Sequence, residues 1–123
     1  MTKEIRFFDS YAIIEIIKGN LSYLSYEDVP IVTTKLNLFE VYQSFIELLG
    51  EKEADLFLDK YYSFVIDYHQ EIIKEAALMR LKYKKRNISM TDCIGYCIAK
   101  KYQIKFLTGD KEFEHFENVE FIK

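Results

Sequence analysis

Short runs of β-branched and aromatic residues alternate along this chain with longer amphipathic stretches, and that alternation limits the possible folds more than any other feature. Residues 5–8, 31–34, 63–66, 104–107 and 119–122 read as strands. The apolar spacing between them predicts helices over 11–18, 38–49, 51–61, 70–85 and 90–102, with 19–30 a loop holding a short helical turn. Gly50 stands just past the second helix, where glycine commonly ends one. Parallel strands need helix-length crossovers, and each gap supplies one except 109–118, which leaves the fifth strand weakly specified. The expected class is α/β: a three-layer α/β/α sandwich around a parallel sheet of about five strands. No repeat or linker divides residues 1–123, so a single domain is expected.

Half of the 123 residues are hydrophobic and 30% are charged, with ten Phe and ten Tyr against four Gly and one Pro. That composition supports a packed core and excludes a disordered or collagen-like chain. The net charge of −3 excludes binding of nucleic acid by bulk positive charge, so any such contact must come from a local patch or from bound metal. Cys93 and Cys97 share one predicted helix with no further Cys or His beside them, and read as buried small hydrophobes in a reducing cytosol. The first ten residues carry Lys3, Glu4, Arg6 and Asp9, unlike a secretory leader. No apolar run approaches the roughly 18 residues of a membrane span. A soluble cytoplasmic protein is expected.

In parallel α/β sheets, sites lie beyond the carboxyl ends of the strands, where strand order reverses. Asp9 directly follows strand one, and Asp110 lies just past strand four. If those strands are neighbours, the two carboxylates face each other and stay ionised only with a cation between them, for which Mg²⁺ or Mn²⁺ is the natural occupant. Each also has a plain structural reading, Asp9 as a helix N-cap and Asp110 as a turn residue. Asp92, in Ser89-Met90-Thr91-Asp92, fits a capping box. The helix it opens is apolar nearly all round, so an acid in its first turn needs a cap, a partner or a metal. Glu40 is weaker. A helical wheel puts Leu38, Val41, Phe45, Leu48 and Leu49 on the core face and Glu40 nearly opposite, with Gln43 and Glu47.

Basic residues cluster at Arg80, Lys82, Lys84, Lys85 and Arg86. They read either as a helix C-terminus complementing its dipole or as a strip that contacts phosphates beside the acidic site. His69 and His115 are isolated and read as surface residues. Glycine-rich phosphate loops, the nucleophile elbow, the zinc-protease helix and paired Cys motifs are all absent, as is any credible Ser–His–Asp or Cys–His set. Metal-assisted hydrolysis remains.

At these four acids the sequence resembles the PIN-domain nucleases, particularly the VapC-type toxin ribonucleases. That family opens on a strand ending in Asp-Thr/Ser, matched by Phe7-Phe8-Asp9-Ser10. Its second acid is a Glu opening the helix after strand two, matched in Thr33-Thr34-Lys35-Leu36-Asn37-Leu38-Phe39-Glu40. Its third is an Asp beginning a small-residue apolar helix, matched by Thr91-Asp92-Cys93-Ile94-Gly95. Its fourth follows a strand as Leu-Thr-x-Asp-x-x-Phe, matched by Leu107 through Phe113 around Asp110. Thr91 stands where members often have Ala, and the tail past Phe113 is unusually acidic.

The resemblance implies a sheet of order 3-2-1-4-5, which sets strands one and four side by side and turns Glu40 toward the site against the wheel. It implies hydrolysis of single-stranded or structured RNA, with Asp9, Glu40, Asp92 and Asp110 holding one or two Mg²⁺ or Mn²⁺ ions. Ser10 and Thr108 would orient the carboxylates. Lys82, Lys84, Lys85 and Arg86 would meet RNA phosphates. A small antitoxin partner, an apolar groove to receive it and a homodimer follow from the same likeness. Two rivals remain. One is a receiver-like, Mg²⁺-binding signalling module with Asp67 as phosphoacceptor and Thr108 as switch hydroxyl. The other is a PIN-like scaffold that binds RNA without cutting it.

Overall fold

The computed structural model describes residues 4–123; the reading of Lys3 as part of a charged amino terminus lies outside them. Four short strands form one wholly parallel sheet: β1 (Arg6–Phe8), β2 (Ile31–Val32), β3 (Lys105–Thr108) and β4 (Val119–Phe121), in spatial order β2-β1-β3-β4. β1 is central, with Phe7 opposite Val32 on one side and Phe106 on the other. The helices are α1 (Ser10–Ile17), α2 (Lys35–Leu49), α3 (Glu51–Tyr62), α4 (Gln70–Lys82) and α5 (Met90–Lys101), with short 3-10 turns at Leu21–Tyr26 and Lys111–Phe113.

Strand side chains alternate between two cores because successive residues point to opposite faces. Phe7 and Phe106 stack at 5.7 Å and pack against Ile72, Ala76, Cys93, Ile94 and Ile98 of α4 and α5. Phe8 and Leu107 face the other way, against Ala12, Ile13, Val41, Phe45, Ala54 and Tyr61 of α1, α2 and α3. The three layers are those expected. α5 lies close on the sheet because its Gly95 carries no side chain: a Cβ there would stand 2.6 Å from the Phe7 ring. Cys93 and Cys97 are buried free thiols, both pushed up to about 11 by burial.

Among the described residues the sheet has four strands rather than five. Residues 63–66 contribute one parallel bridge, Thr33 to Val65, instead of a strand. They follow α3 directly, and the Phe64 and Val65 N–H groups donate back to the Tyr61 and Tyr62 carbonyls at 3.0 and 3.2 Å. Two donors are thereby spent closing the helix, and only Thr33 remains to be paired. Its N–H donates to Phe64 O and its carbonyl accepts from Ile66 N–H. With that bridge counted as a vestigial strand, the expected order is preserved.

Two helix limits also differ. α2 starts at Lys35, three residues early, because Thr34 caps it by accepting from Asn37 N–H at 3.2 Å. Its core face closes at Phe45; Leu48 and Leu49, in the final turn before Gly50, are exposed. α4 stops at Lys82, where Tyr83 leaves helical geometry, so Lys84, Lys85 and Arg86 sit in the turn beyond it. Among the described residues no helix is long and apolar enough to cross a membrane.

Candidate active site at the carboxyl ends of β1 and β3

Adjacent parallel strands deliver their following residues to the same sheet edge, so Asp9 after β1 and Asp110 after β3 leave the sheet together. Asp9 caps α1: its Oδ1 accepts from Ala12 N–H at 2.8 Å. It is fully buried and also takes a hydrogen bond from the Thr108 hydroxyl. Burial raises its carboxyl to about 8 against those two stabilising bonds, and repulsion from Asp92 and Asp110 adds to the rise. Thr108 joins the pair, because its Oγ1 also accepts from Asp110 N–H at 3.0 Å.

Asp92 completes a capping box at the start of α5. Its carboxylate accepts from Ser89 N–H at 3.0 Å, while its own N–H donates to Ser89 Oγ at 3.1 Å. Burial raises its carboxyl too, opposed by the bonds to Ser89 and reinforced by the charges of Asp110 and Glu40. Asp110 caps the turn at Lys111–Phe113, its Oδ1 accepting from Glu112 N–H at 3.0 Å. Both structural readings of Asp9 and Asp110 therefore hold, as capping residues that converge on one sheet edge.

Glu40 lies in the second turn of α2 rather than the first, half-buried, with Oε1 accepting from Ser10 Oγ at 2.6 Å. The wheel placed it toward solvent; the bond to Ser10 draws it to the start of α1, next to Asp9. Asn37 is the residue that sequence reasoning missed. It is buried, donates from Nδ2 to Ser10 Oγ at 3.1 Å and accepts from Thr34 Oγ1 at 2.6 Å. The available signal was a polar residue one helical turn before Val41, on the core face of α2.

Mutual repulsion links the four acids, yet each is tied to its own cap or hydroxyl. Among the described residues no three His, Cys, Asp or Glu side chains are drawn close enough to hold a metal ion. The donor set nevertheless suits a hard divalent cation, being all carboxylate oxygen. Asp9 in particular is a buried acid whose charged neighbours are acids.

The basic residues divide. Lys84 and Lys85 are exposed. Arg86 is occupied: its Nη1 donates to Glu112 O at 2.9 Å, and its guanidinium lies 5.6 Å from the Tyr83 ring and 5.0 Å from the Phe116 ring. Lys82 stands over Tyr83 at the rim of a cavity of about 550 Å³ between α4, α5 and the 115–117 segment. His69 and His115 are exposed, as expected. Asp67 is exposed beyond the Thr33–Val65 bridge, at the outer edge of the sheet.

The PIN-domain family model matches residues 7–119. No curated protein matches significantly. Among solved structures, the chain superposes on VapC20 of Mycobacterium tuberculosis, a sarcin–ricin-loop-cleaving toxin, with TM-score 0.76 and 17% identity over 97% of this chain and 99% of that one. It superposes on VapBC2 from Rickettsia felis, solved with a DNA fragment from its promoter, with TM-score 0.73 and 18% identity over 97% and 99%. A toxin–antitoxin complex from Klebsiella pneumoniae gives 0.72 and 19% over 94% and 95%. At these identities the likeness shows the fold.

Proposed function

The chain belongs to the PIN-domain family, and on that premise we propose that it is a divalent-metal-dependent endoribonuclease acting as the toxin of a toxin–antitoxin pair. The carrying observation is that Asp9, buried at the carboxyl end of β1, lies beside the strand that delivers Asp110 and has Asp92 and Asp110 as its charged neighbours. This membership leaves no place for the receiver-like reading, whose phosphoacceptor Asp67 sits at the outer edge of the sheet, beyond the bridge to Thr33.

In this reading Asp9, Asp92 and Asp110, with Glu40, hold Mg²⁺ or Mn²⁺. The ion would supply an activated water and neutralise charge on the cleaved phosphate. The chain's own contribution is positioning. Thr108 bridges Asp9 to the Asp110 backbone and fixes the spacing between the strand ends. Ser10 orients Glu40. The capping hydrogen bonds orient the Asp9 and Asp92 carboxylates before RNA arrives. Lys84 and Lys85 are free to meet phosphates; with Arg86 committed to Glu112 and two rings, the RNA-contacting strip is smaller than sequence suggests.

The toxin assignment draws support from the toxin–antitoxin complexes among the structural neighbours. An antitoxin or a second copy of the chain needs apolar surface, and Ile73, Leu81 and Met90 are exposed around a groove of about 400 Å³ between α4 and α5. The test is metal-dependent cleavage of total RNA by wild type and Asp9→Asn. Cleavage by wild type alone supports the assignment. RNA binding without cleavage by either protein would make the domain a scaffold and sink it.

A further inference from the structure

Asn37 sits outside every acid named above, yet all of its side-chain hydrogen-bonding capacity toward the site is committed. Its Oδ1 accepts from Thr34 Oγ1 at 2.6 Å and its Nδ2 donates to Ser10 Oγ at 3.1 Å, with the residue 1% exposed. Ser10 Oγ in turn lies 2.6 Å from Glu40 Oε1. Chemistry sets the direction of this chain. A hydroxyl has one proton, and Ser10 gives it to the carboxylate oxygen of Glu40 in that short contact. The second partner of Ser10 must then be a donor, which the amide nitrogen of Asn37 is. Thr34 Oγ1 already accepts Asn37 N–H at 3.2 Å, leaving its own proton for Asn37 Oδ1. The side-chain protons that link Thr34, Asn37, Ser10 and Glu40 all point the same way.

We propose that Asn37 is a positioning residue: by donating to Ser10 Oγ it compels the Ser10 proton onto Glu40, holding that carboxylate at the start of α1, where its charge reaches Asp92. Only an amide does this at that place. An Asp of the same shape would accept from both hydroxyls and turn the Ser10 proton away from Glu40. Outer partners of this kind typically change metal affinity or activity by about 10- to 100-fold. The inference rests on the proposed role of Glu40 in binding a divalent ion, and the experiment separates the two.

Mn²⁺ affinity is measured by titration calorimetry on the full-length chain for wild type, Glu40→Gln, Asn37→Asp, Asn37→Ala, Ser10→Ala and the Asn37→Ala/Ser10→Ala double variant, with folding checked by near-ultraviolet circular dichroism. The expected result is at least a tenfold loss for Glu40→Gln and for each Asn37 variant. In the Ser10→Ala background, Asn37→Ala should cause no further loss, because Asn37 acts through Ser10. Should buried Asp prevent folding at position 37, Asn37→Ala and the double variant decide alone. Wild-type affinity in Asn37→Ala, or losses that add in the double variant, would overturn the role of Asn37 while leaving that of Glu40 standing. Wild-type affinity in Glu40→Gln would overturn the reading of Glu40 itself, and this inference with it.

Discussion

The ring of Tyr11 lies directly on the backbone of Gly109. A Cβ built on Gly109 would stand 2.2 Å from Tyr11 Cε1 and 2.5 Å from the Ile122 carbonyl oxygen. A rotating ring could yield, but the carbonyl belongs to the chain running on from β4 and cannot. Gly109→Ala is therefore expected to force apart the Thr108–Asp110 segment and the end of β4, costing about 1–3 kcal/mol. Thermal unfolding checks this, and a melting temperature equal to wild type would show that the contact relaxes without strain.

Protonation of Asp9 gives a second expectation. Its carboxyl is raised from 3.8 to about 8 in the folded chain, so between those values the folded state holds a proton that the unfolded state has lost. Stability contributed by this group is greatest at acid pH and falls as pH rises from about 4 toward 8, with a slope of about 1.4 kcal/mol per pH unit. Asn at position 9 keeps the N-cap acceptor for Ala12 N–H and cannot ionise. Metal-free Asp9→Asn should thus melt above wild type at pH 8 and close to it at pH 4. Parallel melting curves across this range would refute the shift.

Adding Mn²⁺ to the metal-free protein should raise its melting temperature by relieving repulsion among Asp9, Asp92 and Asp110. Binding to the folded state alone contributes about 2.7 kcal/mol at a hundred times the dissociation constant. No rise at millimolar Mn²⁺ counts against a metal site at these acids.

Asp92→Asn should separate chemistry from folding. The amide oxygen of Asn can accept Ser89 N–H as the carboxylate does, so the capping box survives. Loss of metal-dependent RNA cleavage with an unchanged circular dichroism spectrum is the expected outcome; cleavage at the wild-type rate would remove Asp92 from the site.

Salt dependence distinguishes the members of the basic strip. Lys84→Ala and Lys85→Ala should each reduce the log–log salt slope of RNA binding by about 0.7, measured by fluorescence anisotropy in the Asp92→Asn background. Arg86→Ala should leave the slope alone and lower stability, since it releases the Glu112 carbonyl and two aromatic rings. A slope change for Arg86 and none for the lysines would invert this assignment.

Much of the fold was legible because its central strands are buried on both faces. Phe7-Phe8 and Phe106-Leu107 are continuous apolar pairs, which only a covered parallel sheet accommodates. The convergence of Asp9 and Asp110 required strands one and four to be neighbours, an order that the family resemblance supplied and the pairing of Phe8 with Leu107 bears out. Residues 63–66 have the composition of a strand too, but composition carries no information about donors already used to close α3. The end of α4 was hidden for a related reason: Lys84, Lys85 and Arg86 favour helix individually, whereas the chain leaves helical geometry at Tyr83 and Arg86 meets Glu112, 26 positions away. Glu40 and Asn37 were misread or missed because a wheel records which side of a helix is apolar. It says nothing of a half-buried hydroxyl on another helix, here Ser10, that gives the polar side a partner.

The central place of β1 has a consequence in time. β1 leaves a ribosome long before β3, its neighbour on one side, since Phe7 pairs with Phe106. Until β3 emerges, Phe7 and Phe8 have no neighbour on that flank, and Asp9 waits without Thr108 or Asp110 beside it. Such distant pairing slows folding, because a very long loop must close before any contact rewards it. It also means that a chain synthesised only as far as α5 carries Asp9, Glu40 and Asp92 without Asp110, so the proposed site is assembled only once β3 and the residues after it have been made.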